Sequence, residues 1–119
     1  MNAEEEFFLG FESSRPLFNA VREAIDCIGV TEMRVSKSQI AFWRRKPVAR
    51  VWIPGRYLKG DIAPLVLTLG FDHLIESDRW KEVVEPAPGR FTHHLELRSV
   101  DEIDEQVREW LRQAWLNAA

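Results

Sequence analysis

The chain has 119 residues, of which 45% are hydrophobic and 29% charged, and its formal net charge at pH 7 is −3. This length and composition fit one globular domain over residues 1–119 and exclude a disordered tail or a low-complexity linker. One cysteine, Cys27, excludes a disulfide framework, and no apolar run approaches the roughly 18 residues of a membrane span. The acidic start from Met1 to Glu6 is unlike a signal peptide, so we expect a cytoplasmic protein that does not bind membranes.

Two helices are predicted at the start of the chain. Asn2 is a suitable N-cap for a short helix that ends at Gly10. Four apolar residues around its end should dock on the core: Phe7, Phe8, Leu9 and Phe11. A second helix should begin at Ser13–Pro16 and end at Gly29. Its buried face is predicted from residues that recur with the helical period: Leu17, Phe18, Val21, Ala24, Ile25 and Ile28.

From residue 31 the apolar period changes to two, which is typical of β-strands. One strand, or a pair broken near residues 36–38, is predicted over residues 34–44. Further strands are predicted over residues 48–53, 65–71 and 91–97, with Val83–Val84 as a short addition. Turn residues separate them at Arg45–Pro47, Pro54–Gly55 and Pro86–Gly89.

The last predicted element is a helix that opens at Ser99, where Ser99 and Glu102 have the spacing of a capping box. Its predicted buried stripe consists of Val100, Ile103, Val107, Trp110, Leu111 and Ala114. Together these elements predict an α+β fold: an antiparallel sheet of about four or five strands, covered on one face by an N-terminal and a C-terminal helix.

Charge is distributed unevenly along the chain. Residues 34–60 hold eight basic side chains and no acidic one, whereas residues 1–33 have a net charge of −5 and residues 61–119 a net charge of −6. A basic segment in an acidic chain favours an anion-binding surface. The alternative is that acidic helices packed around the basic strands neutralise them without any ligand.

Strand alternation predicts a basic, aromatic sheet face opposite the helices. If Phe42 and Val51 point to the core, then Trp43, Arg45, Arg50 and Trp52 point away from it, and alternation adds His94 to the same face. Arginine with interleaved aromatics suits stacking on bases or binding of anionic groups. With the adjoining loop included, the predicted ligand-binding residues are Trp43, Arg45, Arg50, Trp52, Arg56, Lys59 and His94. The alternatives are a loop, over residues 56–64 or 72–88, that covers the face, or a homodimer built on it.

Patterns for metal binding and catalysis are absent from the sequence. His93 and His94 are adjacent strand residues, so they should point to opposite faces, and no finger spacing is present. His94 and Glu96 share a face, but no nucleophile elbow or phosphate loop accompanies them. We therefore predict no metal, no cofactor and no catalytic residue. The predicted function is a binding domain for an anionic small molecule or nucleic acid; the alternative is a homodimeric or partner-binding protein that uses the same face.

Four segments resemble a known family: Lys37–Phe42, Arg56–Gly60, Lys81–Pro86 and Pro88–Leu97. The family is the bacterial and archaeal domain of unknown function numbered 5655, and the resemblance extends from about Phe7 to Trp115. More distantly, the chain is similar to small α+β domains of the YdhG type. The family has no established activity, so the resemblance implies no catalytic residue. Some relatives carry this domain beside a nuclease-like domain, which implies nucleic acid by association only.

Overall fold

Six antiparallel strands form one sheet in a computed structural model that describes residues 1–119. The strands are β1 (Glu32–Val35), β2 (Ile40–Trp43), β3 (Pro47–Trp52), β4 (Leu65–Phe71), β5 (Glu82–Ala87) and β6 (Arg90–Leu97). Their order across the sheet is β1-β2-β3-β4-β6-β5. The α+β class is confirmed, but the sheet has six strands rather than four or five. The difference arises because residues 34–44 contain parts of two strands: all of β2 and the second half of β1.

Three helices accompany the sheet: α1 (Ala3–Phe8), α2 (Arg15–Ile28) and α3 (Glu105–Asn117). Helix α3 packs on β3 and β4 and against α2. The core lies between these two helices and one sheet face. One cross-strand row of that face joins Ile40, Val51, Leu67 and Leu95, which are all buried. None of the helices is long and apolar enough to cross a membrane.

The N-terminal helix follows the sequence prediction with one exception. The Asn2 side chain accepts a hydrogen bond from the Glu5 amide at 2.8 Å, and Phe7 and Phe8 are buried. The prediction that Leu9 docks on the core is wrong, because its exposure is 60%. Leu9 ends the helix in an extended conformation, just before Gly10 turns the chain with φ of 85°.

The prediction that the last helix opens at Ser99 is also wrong. The Ser99–Glu102 capping box is present, but it closes a single 3-10 turn, Val100–Glu102. Ile103 then leaves helical geometry, with φ −85° and ψ 70°, and α3 begins at Glu105. Its N-cap is Asp104, whose carboxylate accepts from the Val107 amide at 3.1 Å. Val100 therefore lies outside the buried stripe, at 49% exposure.

Side-chain contacts fix the irregular connection between β4 and β5 to the rest of the protein. The Ile75 amide donates to Nε2 of the fully buried His93 at 3.1 Å, and the Ile75 carbonyl accepts from Nε1 of Trp80 at 2.8 Å. The Trp80 indole stacks on Trp110 of α3, with ring centroids 4.1 Å apart. The Arg79 guanidinium donates to the Asp104 carboxylate at 2.9 and 3.0 Å. This connection is thereby attached to both the sheet and α3.

Candidate functional site

The sheet face opposite the helices is crossed by one continuous row of paired residues. The row consists of Arg34, Ala41, Arg50, Thr68, His94 and Glu82, and it includes one residue from every strand. We call the surface that bears this row the open face. Because side chains alternate along each strand, residues two positions away from the row lie on the same face.

Three side chains of the open face form a hydrogen-bonded chain across β3, β4 and β6. Nε1 of Trp52 donates to Oγ1 of Thr68 at 3.2 Å, and this oxygen lies 2.8 Å from Nδ1 of His94. An indole N–H can only donate, so the Thr68 oxygen accepts it. In the neutral His94 tautomer whose ring proton lies on Nε2, the Thr68 hydroxyl gives its own proton to Nδ1. Thr68, the middle member of these three hydrogen-bonded side chains, is buried, with 6% exposure.

Burial lowers the pKa of His94 below its ordinary value, and the charge of Glu82 on the neighbouring strand opposes this shift. The imidazole is therefore mainly neutral at pH 7.

A cavity of about 860 Å³ lies at one end of the sheet beside Thr68, where residues of the open face line it together with Asn117 and Ala118 at the end of α3. Its floor includes Gly70 of β4 and Thr92 of β6, which are paired across the sheet. Pro86 and Ala87 line it at the point where a register shift bends β5. We call this cavity the trough. Gly70 is the single exposed residue of β4, so the depression coincides with the missing side chain.

The charged residues that line the trough are mainly basic. Lys46, Arg50 and Arg90 line it, and none of them lies within 4.0 Å of a carboxylate oxygen. Asp72 is the one acidic residue of the lining. Its carboxylate bonds Nδ1 of His73 at 2.8 Å, and this bond, with a smaller contribution from the charge of Lys46, lowers the pKa of Asp72. The trough thus presents three cations to one anion.

Only part of the predicted ligand-binding set lies together. Arg50, Trp52 and His94 are neighbours on the open face. Trp43 shares that face, but the Arg34 guanidinium covers its ring at 4.1 Å from the centroid. Trp43 and Trp52 lie on opposite sides of the row, about 13 Å apart along the strand direction. Both tryptophans keep part of their surface exposed. The alternative that a loop covers this face and buries them is therefore wrong.

The other predicted residues lie elsewhere. The Arg56 guanidinium donates to the Phe7 carbonyl and stands over the rings of Phe7 and Phe11, at 5.0 and 5.1 Å. It therefore attaches the 54–64 loop to the N-terminal segment. Arg45 lies in the β2–β3 turn, and Lys59 is exposed in the loop beyond Arg56. These three side chains do not line the trough.

A family model described as Domain of unknown function (DUF5655) matches residues 4–118. The chain belongs to this family. No curated protein and no solved structure matches it.

The two adjacent histidines of this DUF5655 protein point to opposite faces, as strand alternation predicts. His93 is buried in the core beside Phe71 and Trp80, whereas His94 belongs to the open face. Nowhere do three His, Cys, Asp or Glu side chains lie together as a metal ion would need.

The predicted ligand-binding set did not include Lys46, Gly70 and Arg90, on which the character of the trough depends. A signal for Gly70 was available, because glycine inside a predicted strand often marks close approach of another group. Arg90 has the same parity as His94 along β6, so alternation places it on the open face. Lys46 gave no such signal, since it precedes its strand in a turn.

Proposed function

We propose that this DUF5655 protein binds a small anionic ligand in the trough and performs no chemistry on it. The proposal rests on Lys46, Arg50 and Arg90, which line one concave surface without carboxylate partners. Charged donors of this kind form strong hydrogen bonds to anionic oxygens. A volume of about 860 Å³ lies within the range of small-molecule sites.

The stability cost of glycine at position 70 supports the same proposal. Glycine within a strand costs roughly 0.5–1 kcal/mol relative to alanine. Gly70 does not have positive φ, and a Cβ built on it meets no atom within 4 Å. Folding therefore gives no reason for glycine here. A ligand that rests on the β4 backbone does give one, because any side chain would occupy its place.

The placement of the basic segment favours a small ligand over nucleic acid. Arg34 pairs with Glu32, and Arg44 stacks on Trp115 at 3.5 Å. Of the eight bases between residues 34 and 60, two line the trough: Lys46 and Arg50. A nucleic-acid backbone needs a continuous basic track to neutralise successive phosphates. The dispersed bases provide no such track.

Calorimetric titration with inorganic phosphate and sulfate at low ionic strength tests the proposal. Arg50→Gln should weaken binding at least about tenfold, since it removes a charged donor from the trough. Arg108→Gln is the matched control, because Arg108 is exposed on α3 and does not line the trough. Equal losses in both variants would reduce the effect to net charge and overturn the proposal, as would absence of binding by either anion.

Two further outcomes would favour the alternatives. Affinity for single-stranded oligonucleotides that keeps rising with length beyond the trough would favour nucleic acid. A salt-insensitive dimer of the 13.9 kDa chain that dissociates in Trp52→Ala would favour a homodimer built on the open face.

A further inference from the structure

The Thr68 hydroxyl is the polar group that connects the trough to a titratable side chain. Thr68 lines the trough, and its oxygen is also the middle member of the chain from Trp52 to His94. A hydroxyl has one proton to donate and two lone pairs that accept. The state of His94 therefore decides what Thr68 can offer a ligand.

With neutral His94 in the Nε2–H tautomer, the Thr68 proton is already used. Thr68 accepts from Trp52 and donates to Nδ1 of His94, which leaves only a lone pair for the trough. A lone pair repels an anionic oxygen. With protonated His94, Nδ1 becomes a donor and Thr68 must accept from it. Both lone pairs are then occupied, by Trp52 and His94, and the Thr68 proton is free to point at a ligand.

We propose that anion binding in the trough is coupled to uptake of one proton by His94, through reversal of the Thr68 hydroxyl. The inference rests on the proposed function and names how that site is regulated: the site prefers an anion that accepts a hydrogen bond, and it binds that anion more tightly as pH falls. The bond change is balanced: a solvent proton adds to Nδ1, and the Thr68 proton moves from His94 to the ligand.

The surroundings of His94 fit this coupling. The charged groups that face it are Glu82 on β5, directly opposite, Glu96 two residues along β6, and Arg50 two strands away in the same row. The Glu82 carboxylate favours the imidazolium. Burial lowers the pKa of His94 in the free protein, and a bound anion, which favours the imidazolium, raises it.

Sulfate is the suitable probe, because its charge is constant between about pH 5 and about pH 8. Its affinity should rise as pH falls through this range, by up to about tenfold per pH unit where one proton is taken up. Titration near pH 7 in two buffers of different ionisation enthalpy should show net proton uptake. Sulfate affinity that is independent of pH would overturn the coupling and leave the proposed function standing, whereas no sulfate binding at any pH would overturn both.

Three variants separate the hydroxyl from a simple charge effect of His94. Thr68→Val should lose most of the pH dependence, whereas Thr68→Ser should retain it. Thr92→Val is the matched control, because Thr92 also lines the trough but its hydroxyl has no hydrogen bond to His94. Full pH dependence in Thr68→Val would show that the imidazolium charge alone acts on the ligand and would overturn the proposed route.

The free protein offers a test that needs no ligand. Nitrogen-15 NMR of the imidazole should show the tautomer with its proton on Nε2 at neutral pH. This readout also covers the case in which Thr68→Val fails to fold. The Nδ1–H tautomer would mean that Thr68 already has a free proton, which would overturn the proposal.

Discussion

Gly70→Ala is expected to stabilise the protein. Gly70 lies in β4 without positive φ, and the added methyl group would meet no atom within 4 Å. The gain comes from the unfolded chain, which loses conformational freedom, and amounts to about 0.5–1 kcal/mol. Globular proteins unfold with about 2.1 cal/mol/K of entropy per residue, which gives about 0.25 kcal/mol/K for 119 residues. The melting temperature should therefore rise by about 2–4 °C.

Thermal unfolding followed by circular dichroism measures this effect, and Gly89→Ala is its matched control. Gly89 also has open space at the Cβ position, but its φ is +76°. Alanine there should cost about 1–2 kcal/mol, because an L side chain clashes with its own backbone in the left-handed region. If Gly70→Ala lowered the melting temperature like Gly89→Ala, glycine would be required by the fold and its support for a ligand site would be lost.

Three further changes test the packing and titration of the core. Gly29→Ala should cost about 1–3 kcal/mol in thermal unfolding, because its Cβ would lie 2.3 Å from Cζ2 of Trp115. Trp110→Ala should cost about 3–5 kcal/mol in the same assay, since Trp110 is 5% exposed and stacks on Trp80 at 4.1 Å. In urea unfolding, stability should fall with pH below 6.5, because the unfolded chain protonates His93 first while burial lowers its pKa in the folded state. His93→Gln should reduce this loss between about pH 7 and about pH 5, where carboxylates contribute little.

For each of these variants, one result would contradict the physical reason given. Wild-type stability in Gly29→Ala would mean that the Trp115 ring moves aside freely. An unchanged melting temperature in Trp110→Ala would mean that α3 does not pack as described. The same loss of stability at acidic pH in His93→Gln would assign the titration to another group.

Elements that consist of a continuous apolar run between turn residues were predictable from the sequence. Residues 65–71 form a short, mainly apolar run between turn residues and correspond to β4, which is buried at every position except Gly70. The start of α3 was not predictable in this way. Ser99 and Asp104 both satisfy a helix N-terminus, and the choice between them depends on how Ile103 is buried against the core. Local capping patterns do not contain that information.

The site was predictable only where one strand determines a side chain's direction. Arg50 and Trp52 follow from alternation along β3. Arg56 did not, because its partner, the Phe7 carbonyl, lies 49 positions away in the sequence. The contribution of Arg90 depends on β6 pairing with β4 while β5 takes the edge, and nothing in the strand patterns distinguishes this order from the sequential one.

The side-chain hydrogen bonds that fix the connection between β4 and β5 affect its hydrogen exchange and proteolysis. Residues 72–81 contain neither helix nor strand, so composition alone would mark them as an accessible loop. The Ile75 amide, however, donates to the ring of the fully buried His93, and the Ile75 carbonyl accepts from the Trp80 indole N–H. Hydrogen exchange at Ile75 therefore requires the end of the core beside Trp110 to open, rather than local fraying. Proteases should cut first around Tyr57 and Leu58, which are 60% and 54% exposed in the 54–64 loop.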